Sequence, residues 1–350
     1  VKVEVTREAV GVVAIISPWN FPTATAVWKI APALAFGNTV IWKPANLTPA
    51  SAVALAEIIH RQGLPEGTFN LLLGGGSSVG DALINSTDID AVSFTGSVPT
   101  GRKVAAATAP NFIRCQLEMG SKNALVIADD ADLQVAIDAA VAGAFGGSGQ
   151  KCTASSRLIV MDSIHDAFVE GVVAKMKTLK VGHVLDDGIF MGPVVDDKQL
   201  VSNMDWIEKA KQSGAHLAFG GERLEMAYDG CYMSPTLFTE TDNSWDINQE
   251  EVFAPLACVL RVKNLEEAIA MTNDTRFGLT GGIITQSLRS SAMFKEQVQA
   301  GCVMVNLATA GTDYHVPFGG RKQSSFGPRE QGQYAKEFYT IVKTAYQKAY

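Results

Sequence analysis

Cysteine is scarce in this chain, and every pattern that would give it a structural role is missing. The five cysteines among 350 residues (Cys115, Cys152, Cys231, Cys258, Cys302) form no CxxC pair and are not bracketed by histidines. An odd, sparse set argues against a disulfide framework and a structural zinc site, so no metal is expected and a reducing cytoplasm fits best. Charge is also limited: 19% of residues are charged, the net charge is −7, and no like-charge run could serve as a basic arm. Nucleic acid is therefore excluded as the expected partner. The longest apolar runs, residues 10–16 and 139–145, fall far short of a membrane span. Residues 1–10 alternate charge where a secretory signal needs an apolar centre. The chain also starts with Val1 rather than Met, which suggests that it begins partway through a longer protein. No GxGxxG stands anywhere, so the usual dinucleotide fingerprint is absent. None of His60, His165, His183, His216 and His315 sits in a protease-type signature.

What is present suits a globular protein with a buried core. The chain is 47% hydrophobic, and 350 residues correspond to about two domains. In the first third, short apolar runs at 12–16, 39–42, 69–73, 91–94 and 114–117 read as strands. Helical patterns at 24–35, 49–62, 79–85 and 101–108 lie between them. Thr48-Pro49 and Ser78 read as helix starts. The rhythm then repeats, with strands expected at 125–127, 156–161, 252–262, 281–284 and 302–306. The intervening helices are expected at 133–144, 165–177, 198–213, 265–272 and 288–298. Such alternation implies α/β architecture, two doubly wound parallel-sheet domains with helices on both faces. Residues 338–343 read as a lone late strand that needs an edge to pair with.

Few residues in this frame point to chemistry. Cys152 follows Gly146-Gly147-Ser148-Gly149-Gln150-Lys151, a loop able to turn tightly beside a ligand, and the neighbouring Lys151 favours the nucleophilic thiolate. Taken alone, a buried inert thiol is the commoner reading of any cysteine. The other four cysteines read as structural. Gly74-Gly75-Gly76-Ser77-Ser78-Val79-Gly80 and Thr95-Gly96-Ser97 each follow a strand and open a helix. Such turns are either ordinary βα connections or anion sites for a pyrophosphate. Glu118 closes a strand where open α/β sheets place ligands. Asn20 and Lys43 carry weaker signals, in a proline-flanked turn and at a strand end.

Together the motifs resemble the NAD(P)-dependent aldehyde dehydrogenase superfamily. The resemblance runs in family order through Pro18-Trp19-Asn20-Phe21-Pro22, Lys43-Pro44-Ala45, Phe94-Thr95-Gly96-Ser97, Leu117-Glu118-Met119-Gly120, Gly149-Gln150-Lys151-Cys152, Glu250-Glu251-Val252-Phe253 and Pro317-Phe318-Gly319-Gly320. It implies Cys152 as nucleophile, Glu118 as general base and Asn20 as oxyanion donor. It also implies NAD or NADP as cofactor, bound by Trp19, Lys43, Asn46, Gly76, Gly80, Gly96, Ser97, Glu251 and Phe253. Asn46 stands where many NAD-preferring relatives have Glu, which removes a charge that would repel a 2′-phosphate, so NADP is expected to be accepted. Met119 and Ser121 replace the commoner Leu and Gly beside the base.

Residues 315–322 and 327–332, with Gly149-Gln150-Lys151-Cys152-Thr153-Ala154, look most like bacterial α-ketoglutaric semialdehyde (2,5-dioxovalerate) dehydrogenases. That likeness implies a short aldehyde with a distal carboxylate, with Lys151, Thr153 and His315 as candidate substrate contacts. Succinic semialdehyde or an aromatic aldehyde is the alternative substrate, and a non-catalytic relative the alternative class. Family members extend further at the N-terminus. The resemblance implies a cofactor-binding domain over 1–118 with an oligomerisation strand at 1–10, a catalytic domain over 119–315, and a return over 316–350. A homodimer or homotetramer is the implied assembly.

Overall fold

The computed structural model describes residues 1–349. The chain opens with strand β1 (Lys2–Ala9) and β2 (Val12–Ile16), followed by α1 (Ala24–Ala35), β3 (Thr39–Lys43), α2 (Pro49–His60) and β4 (Phe69–Leu71). A π-helical turn (Gly76–Gly80) leads into α3 (Asp81–Ile84), β5 (Ala91–Thr95), α4 (Val98–Thr108) and β6 (Arg114–Glu118). Next come β7 (Asn123–Ile127), α5 (Leu133–Phe145), β8 (Ser155–Met161), α6 (His165–Met176) and α7 (Asp197–Gln212). The chain continues through β9 (His216–Phe219), β10 (Thr236–Thr239), α8 (Asp246–Gln249), β11 (Leu256–Val262), α9 (Leu265–Asn273), β12 (Thr280–Ile284), α10 (Leu288–Gln297) and β13 (Cys302–Val305). It ends with β14 (Ser325–Phe326), α11 (Lys336–Tyr339) and β15 (Thr340–Gln347).

The chain divides into two compact units. Unit 1 holds Val1–Met119, Thr312–Gly319 and Ser325–Tyr350, and unit 2 holds Gly120–Gly311 and Gly320–Ser324. The six-stranded sheet of unit 1 has the order β14-β6-β5-β2-β3-β4, parallel except for the antiparallel β14. Alternate residues Val13, Ile15, Val40 and Trp42 meet Ala26, Ile30 and Ala33 of α1 in its core. The seven-stranded sheet of unit 2 has the order β13-β12-β7-β8-β11-β10-β9, with only β9 antiparallel. Its strands are apolar on both faces. Leu125, Ile127, Leu158 and Val160 pack toward α5 and α6, while Ala124, Val126, Ile159 and Met161 pack toward α9 and α10. The doubly wound α/β expectation holds in both units.

Four local expectations fail for physical reasons. The late strand starts at Thr340 rather than 338, because Phe338 and Tyr339 are 0% and 1% exposed and sit in the unit 1 core as part of α11. The edge that strand needs is supplied by the same chain, where β15 pairs antiparallel with β1 along eight residues, Lys2↔Gln347 to Ala9↔Thr340. The strand expected over 252–262 begins only at Leu256, because Phe253 takes a left-handed φ of +61° that no strand accommodates. Neither expected cap bond forms: the Thr48 hydroxyl is buried without a partner among the described residues, and Ser78 lies inside the π-helical turn. Two short strands, β9 and β10, were not expected at all.

Candidate functional site

Unit 1 gathers its candidates at the carboxyl ends of its parallel strands. From β2 the chain steps outward one way to β3 and β4, then resumes on the other side with β5 and β6. That reversal leaves a crevice beyond β2 and β5 where open α/β sheets bind ligands. Half-buried Trp19 and Asn20 follow β2 directly. Lys43 ends β3. It is 5% exposed, its Nζ donates to the Pro44 carbonyl at 2.9 Å, and burial lowers its pKa. Gly80 packs beside its stem, where an added Cβ would lie in ordinary contact at 3.6 Å from Lys43 Cε. The exposed Asn46 lies near Gly75, and Gly76 has open space where a Cβ would stand.

After β5, Ser97 takes an extended conformation at the head of the 11-residue α4, with its hydroxyl 2.9 Å from that of Thr100. The neighbouring Thr95 hydroxyl is buried and without a partner among the described residues. A turn of small residues, an orphaned hydroxyl and a helix N-terminus suit a pyrophosphate, so these residues fit a dinucleotide.

Glu118 ends β6 in the same edge of the sheet. Its carbonyl accepts the Gly96 N–H at 3.0 Å, which ties the phosphate-type turn to the candidate base. The side chain is 2% exposed, and Ser325 Oγ donates to Oε2 at 2.5 Å. Burial first, then the Glu330 carboxylate, raise its pKa well above the usual carboxylate value, while Ser325, Lys29 and Arg329 pull the other way. Lys29 forms a buried ion pair with Glu330 and donates to Ser93 Oγ at 3.1 Å. A Cβ on Gly319 would come within 2.7 Å of Glu118 Oε1 and 2.6 Å of Arg329 Nη1, so only glycine lets this cluster close.

Unit 2 places its candidates at the opposite kind of edge, before the amino ends of β7, β8 and β11. Cys152 sits half-buried in the turn leading into β8. The loop behind it runs through Gly147, Ser148 and Gly149 with φ of +63°, +56° and +63°, a left-handed path that costs Ser148 conformational strain. Ser148 Oγ donates to the Gly192 carbonyl at 2.8 Å, and the Val195 N–H donates to Gln150 Oε1 at 2.9 Å. In front, Asn123 Nδ2 donates to the carbonyls of Cys152 (2.7 Å) and Ala154 (2.9 Å). Thr153 is buried, and its carbonyl accepts from Thr309 Oγ1 at 2.8 Å.

Glu251 and Phe253 precede β11. Glu251 Oε1 accepts the Ser121 N–H at 3.0 Å, and burial lifts its pKa to about 7. A Cβ on Gly120 would stand 1.9 Å from Glu251 Oε2, so this carboxylate also packs against bare backbone. Lys122 is 1% exposed with no partner for its Nζ among the described residues, and burial lowers its pKa to about 8. Lys122, Lys151, Glu251 and Phe253 line one cavity of about 10 Å³, room for a single water.

Within unit 1 the structure thus joins Gly96 to Glu118 and Gly80 to Lys43. Within unit 2 it brings Lys151 to the cavity of Glu251 and Phe253. His315 is exposed, its ring edge-on to Tyr314 at 5.4 Å. Sequence reasoning missed Lys29, Glu330, Ser325 and Arg329 around Glu118, and Asn123 and Ser148 around Cys152. Lys29 left a signal, as the lone charge in the otherwise uncharged helix Ala24–Ala35. Among the described residues no helix is long and apolar enough to cross a membrane, and no cluster of His, Cys, Asp and Glu could hold a metal.

Known proteins resemble this chain along nearly its whole length. The aldehyde dehydrogenase family profile matches residues 1–345. The alpha-ketoglutaric semialdehyde dehydrogenase of Bacillus subtilis is 42% identical over 345 residues, covering 98% of this chain and 71% of that protein. A betaine aldehyde dehydrogenase of Cereibacter sphaeroides is also 42% identical, over 340 residues that cover 97% of this chain and 69% of the relative. Among solved structures, betaine aldehyde dehydrogenase of Staphylococcus aureus in complex with NAD+ superposes with a TM-score of 0.95 at 36% identity, covering 98% of this chain and 68% of that one.

Proposed function

The chain belongs to the aldehyde dehydrogenase family, and we propose on that premise that it oxidises α-ketoglutaric semialdehyde to the dicarboxylic acid with NAD or NADP. The observation that carries this reading is the strained left-handed loop that delivers Cys152, fastened on each side by Ser148, Gln150 and Asn123. Strain of this kind persists where a side chain must be aimed.

The Cys152 thiolate adds to the aldehyde carbon: a C–S bond forms and the carbonyl π electrons move to oxygen. The Asn20 amide and the Cys152 N–H hold that oxyanion, a kind of donor worth about 3 kcal/mol in the transition state. A bound oxidised nicotinamide would supply the hydride acceptor for that carbon. Glu118 then takes a proton from water, whose oxygen attacks the thioester, and the C–S bond breaks to return the thiolate. Lys43 and Asn46 would hold the adenine ribose, Gly76 and Gly80 would lie beside the adenine, and Gly96 and Ser97 would receive the pyrophosphate. Glu251 and Phe253 would hold the nicotinamide ribose, and Trp19 would be a further cofactor contact. Because Asn46 carries no charge, NADP is accepted; Asn46→Glu lowers kcat/KM for NADP about tenfold relative to NAD, and an unchanged ratio removes the assignment.

The test of function is reduced-cofactor formation with a panel of aldehydes: anionic semialdehydes including the succinic one, neutral and aromatic aldehydes, and a quaternary-ammonium aldehyde. The last belongs there because betaine aldehyde dehydrogenases match at the same 42% identity. Preference for the anionic aldehydes in kcat/KM supports the proposal. Equal rates on neutral aldehydes, or preference for the cation, remove the semialdehyde assignment. Cys152→Ala abolishes turnover, and a non-catalytic relative shows none to lose. The five cysteines, none in a disulfide among the described residues, suit a reducing compartment, and β1 with β15 is the proposed seat of homodimer or homotetramer assembly.

A further inference from the structure

The loop behind Cys152 is closed from the inside by a side chain that no step above uses. Helix α5 ends at Phe145 with Gly146 as its C-cap, and its last turn carries no basic residue. Such an end leaves carbonyls in need of donors and a partial negative charge in need of a cation. Lys151 supplies both, its Nζ donating to the Ala142 carbonyl at 3.2 Å. Its stem lies across the loop: a Cβ on Gly146 would stand 3.4 Å from Nζ, and one on Gly147 would stand 3.7 Å from Cδ. The lysine therefore spans the left-handed segment Gly147-Ser148-Gly149 from the residue beside the nucleophile back to the helix.

We propose that Lys151 is the positioning residue of the nucleophile: it caps the carboxyl end of α5, which fixes the loop, and it is the local cation that favours the Cys152 thiolate before any cofactor binds. The inference rests on the reading of Cys152 as nucleophile. Burial lowers the Lys151 ammonium to about 8, and the Cys152 charge is what pushes it back up. Such coupling is mutual, so a charged Lys151 lowers the thiol as the thiolate raises the amine. The other charged groups of unit 2 facing the same cavity are Lys122 and Glu251, which titrate near 8 and 7. Both are left unchanged in the series below. With its ammonium turned onto α5, Lys151 leaves recognition of a substrate carboxylate to other groups.

The experiment is the rate of iodoacetamide alkylation of Cys152 in the cofactor-free chain from pH 5.5 to 10, followed by peptide mass spectrometry. Three variants separate the two roles. Lys151→Gln keeps a donor for the Ala142 carbonyl but no charge, Lys151→Arg keeps a cation that does not titrate, and Lys151→Met removes both. Lys151→Gln moves the alkylation midpoint up by about one pH unit and slows the reaction at pH 7 about tenfold, while Lys151→Arg retains the wild-type rate. Amide exchange in residues 142–149 quickens in Lys151→Met and holds in Lys151→Gln. An unchanged midpoint in Lys151→Gln overturns the proposal whatever the exchange shows. If wild-type Cys152 reacts no faster than the other cysteines, the nucleophile reading itself has failed, a separate result.

Discussion

Two carboxyl groups stand out at the scale of single residues, Glu118 buried and Glu251 half-buried, and both are raised rather than lowered. For Glu251 the folded value is about 7 against 4.5 unfolded, chiefly through burial. A raised carboxyl binds its proton more tightly in the folded state, so its ionisation destabilises the fold. Stability is greatest below the unfolded value and falls as pH rises from about 4.5 to about 7. Discounted for partial solvent contact, the loss is about 2 kcal/mol. Glu251→Gln keeps an oxygen for the Ser121 N–H and removes the charge. Urea titrations are expected to show it more stable than wild type by about that amount at pH 8 and equal to it at pH 4. Glu118 is raised by burial first and then by Glu330, so with Glu118 as the proposed base deacylation is expected to rise as it ionises. Glu118→Gln lowers steady-state turnover by about 10²–10⁴ but leaves a first-turnover burst of reduced cofactor. Stopped-flow absorbance reads the two apart, and loss of the burst with the turnover would place Glu118 in the first half-reaction instead.

At the scale of elements, the loop between α5 and β8 carries the sharpest constraint. Gly149 has φ +63°, and a Cβ there would stand 2.1 Å from the Ala254 carbonyl oxygen, which is backbone and does not yield easily. Gly149→Ala is expected to cost at least 3 kcal/mol, from left-handed strain plus the clash. Ser148→Gly relieves strain of about 1 kcal/mol and loses a hydrogen bond worth about the same, so its stability stays near wild type. Thermal denaturation of the pair checks this, and equal melting temperatures would show that the loop can be reshaped at no cost. The sequence made this loop legible through its glycines, and it made unit 1 legible because βα turns at carboxyl strand ends follow a known rule. Unit 2 was harder to read: Cys152, Glu251 and Lys122 precede strands β8, β11 and β7, where that rule gives no warning. Strands β9 and β10 escaped notice at four residues each, too short for alternation to register. Phe338 and Tyr339 read as strand because aromatic residues favour sheets, yet burial in the unit 1 core holds them in a helical turn. Lys29 and Glu330, 301 residues apart, could be paired only by the fold.

At the scale of the whole molecule, the ribbon of β1 and β15 is the feature that unit 1 alone does not account for. An isolated two-stranded ribbon is marginal in water, since one face at least must pack on something. Its register puts Val3 opposite Tyr346, Val5 opposite Thr344 and Arg7 opposite Val342, so Val3, Val5, Val342 and Tyr346 share one face. All four are exposed, at 54%, 65%, 52% and 75%. The ion pair Lys343–Glu8 lies on the opposite face; Arg7, beside Val342 on this one, turns to Glu337, and the four apolar side chains stay exposed. Assembly through the ribbon would bury it, which is why the homodimer or homotetramer is placed there. Val5→Glu with Tyr346→Glu sets two like charges on that face, each costly to bury. Light scattering after size exclusion is expected to show the wild-type chain as an oligomer and the double variant shifted to monomer, with circular dichroism unchanged because neither side chain enters a core. An oligomer that keeps its mass in the double variant would move the interface elsewhere and leave the ribbon without a partner.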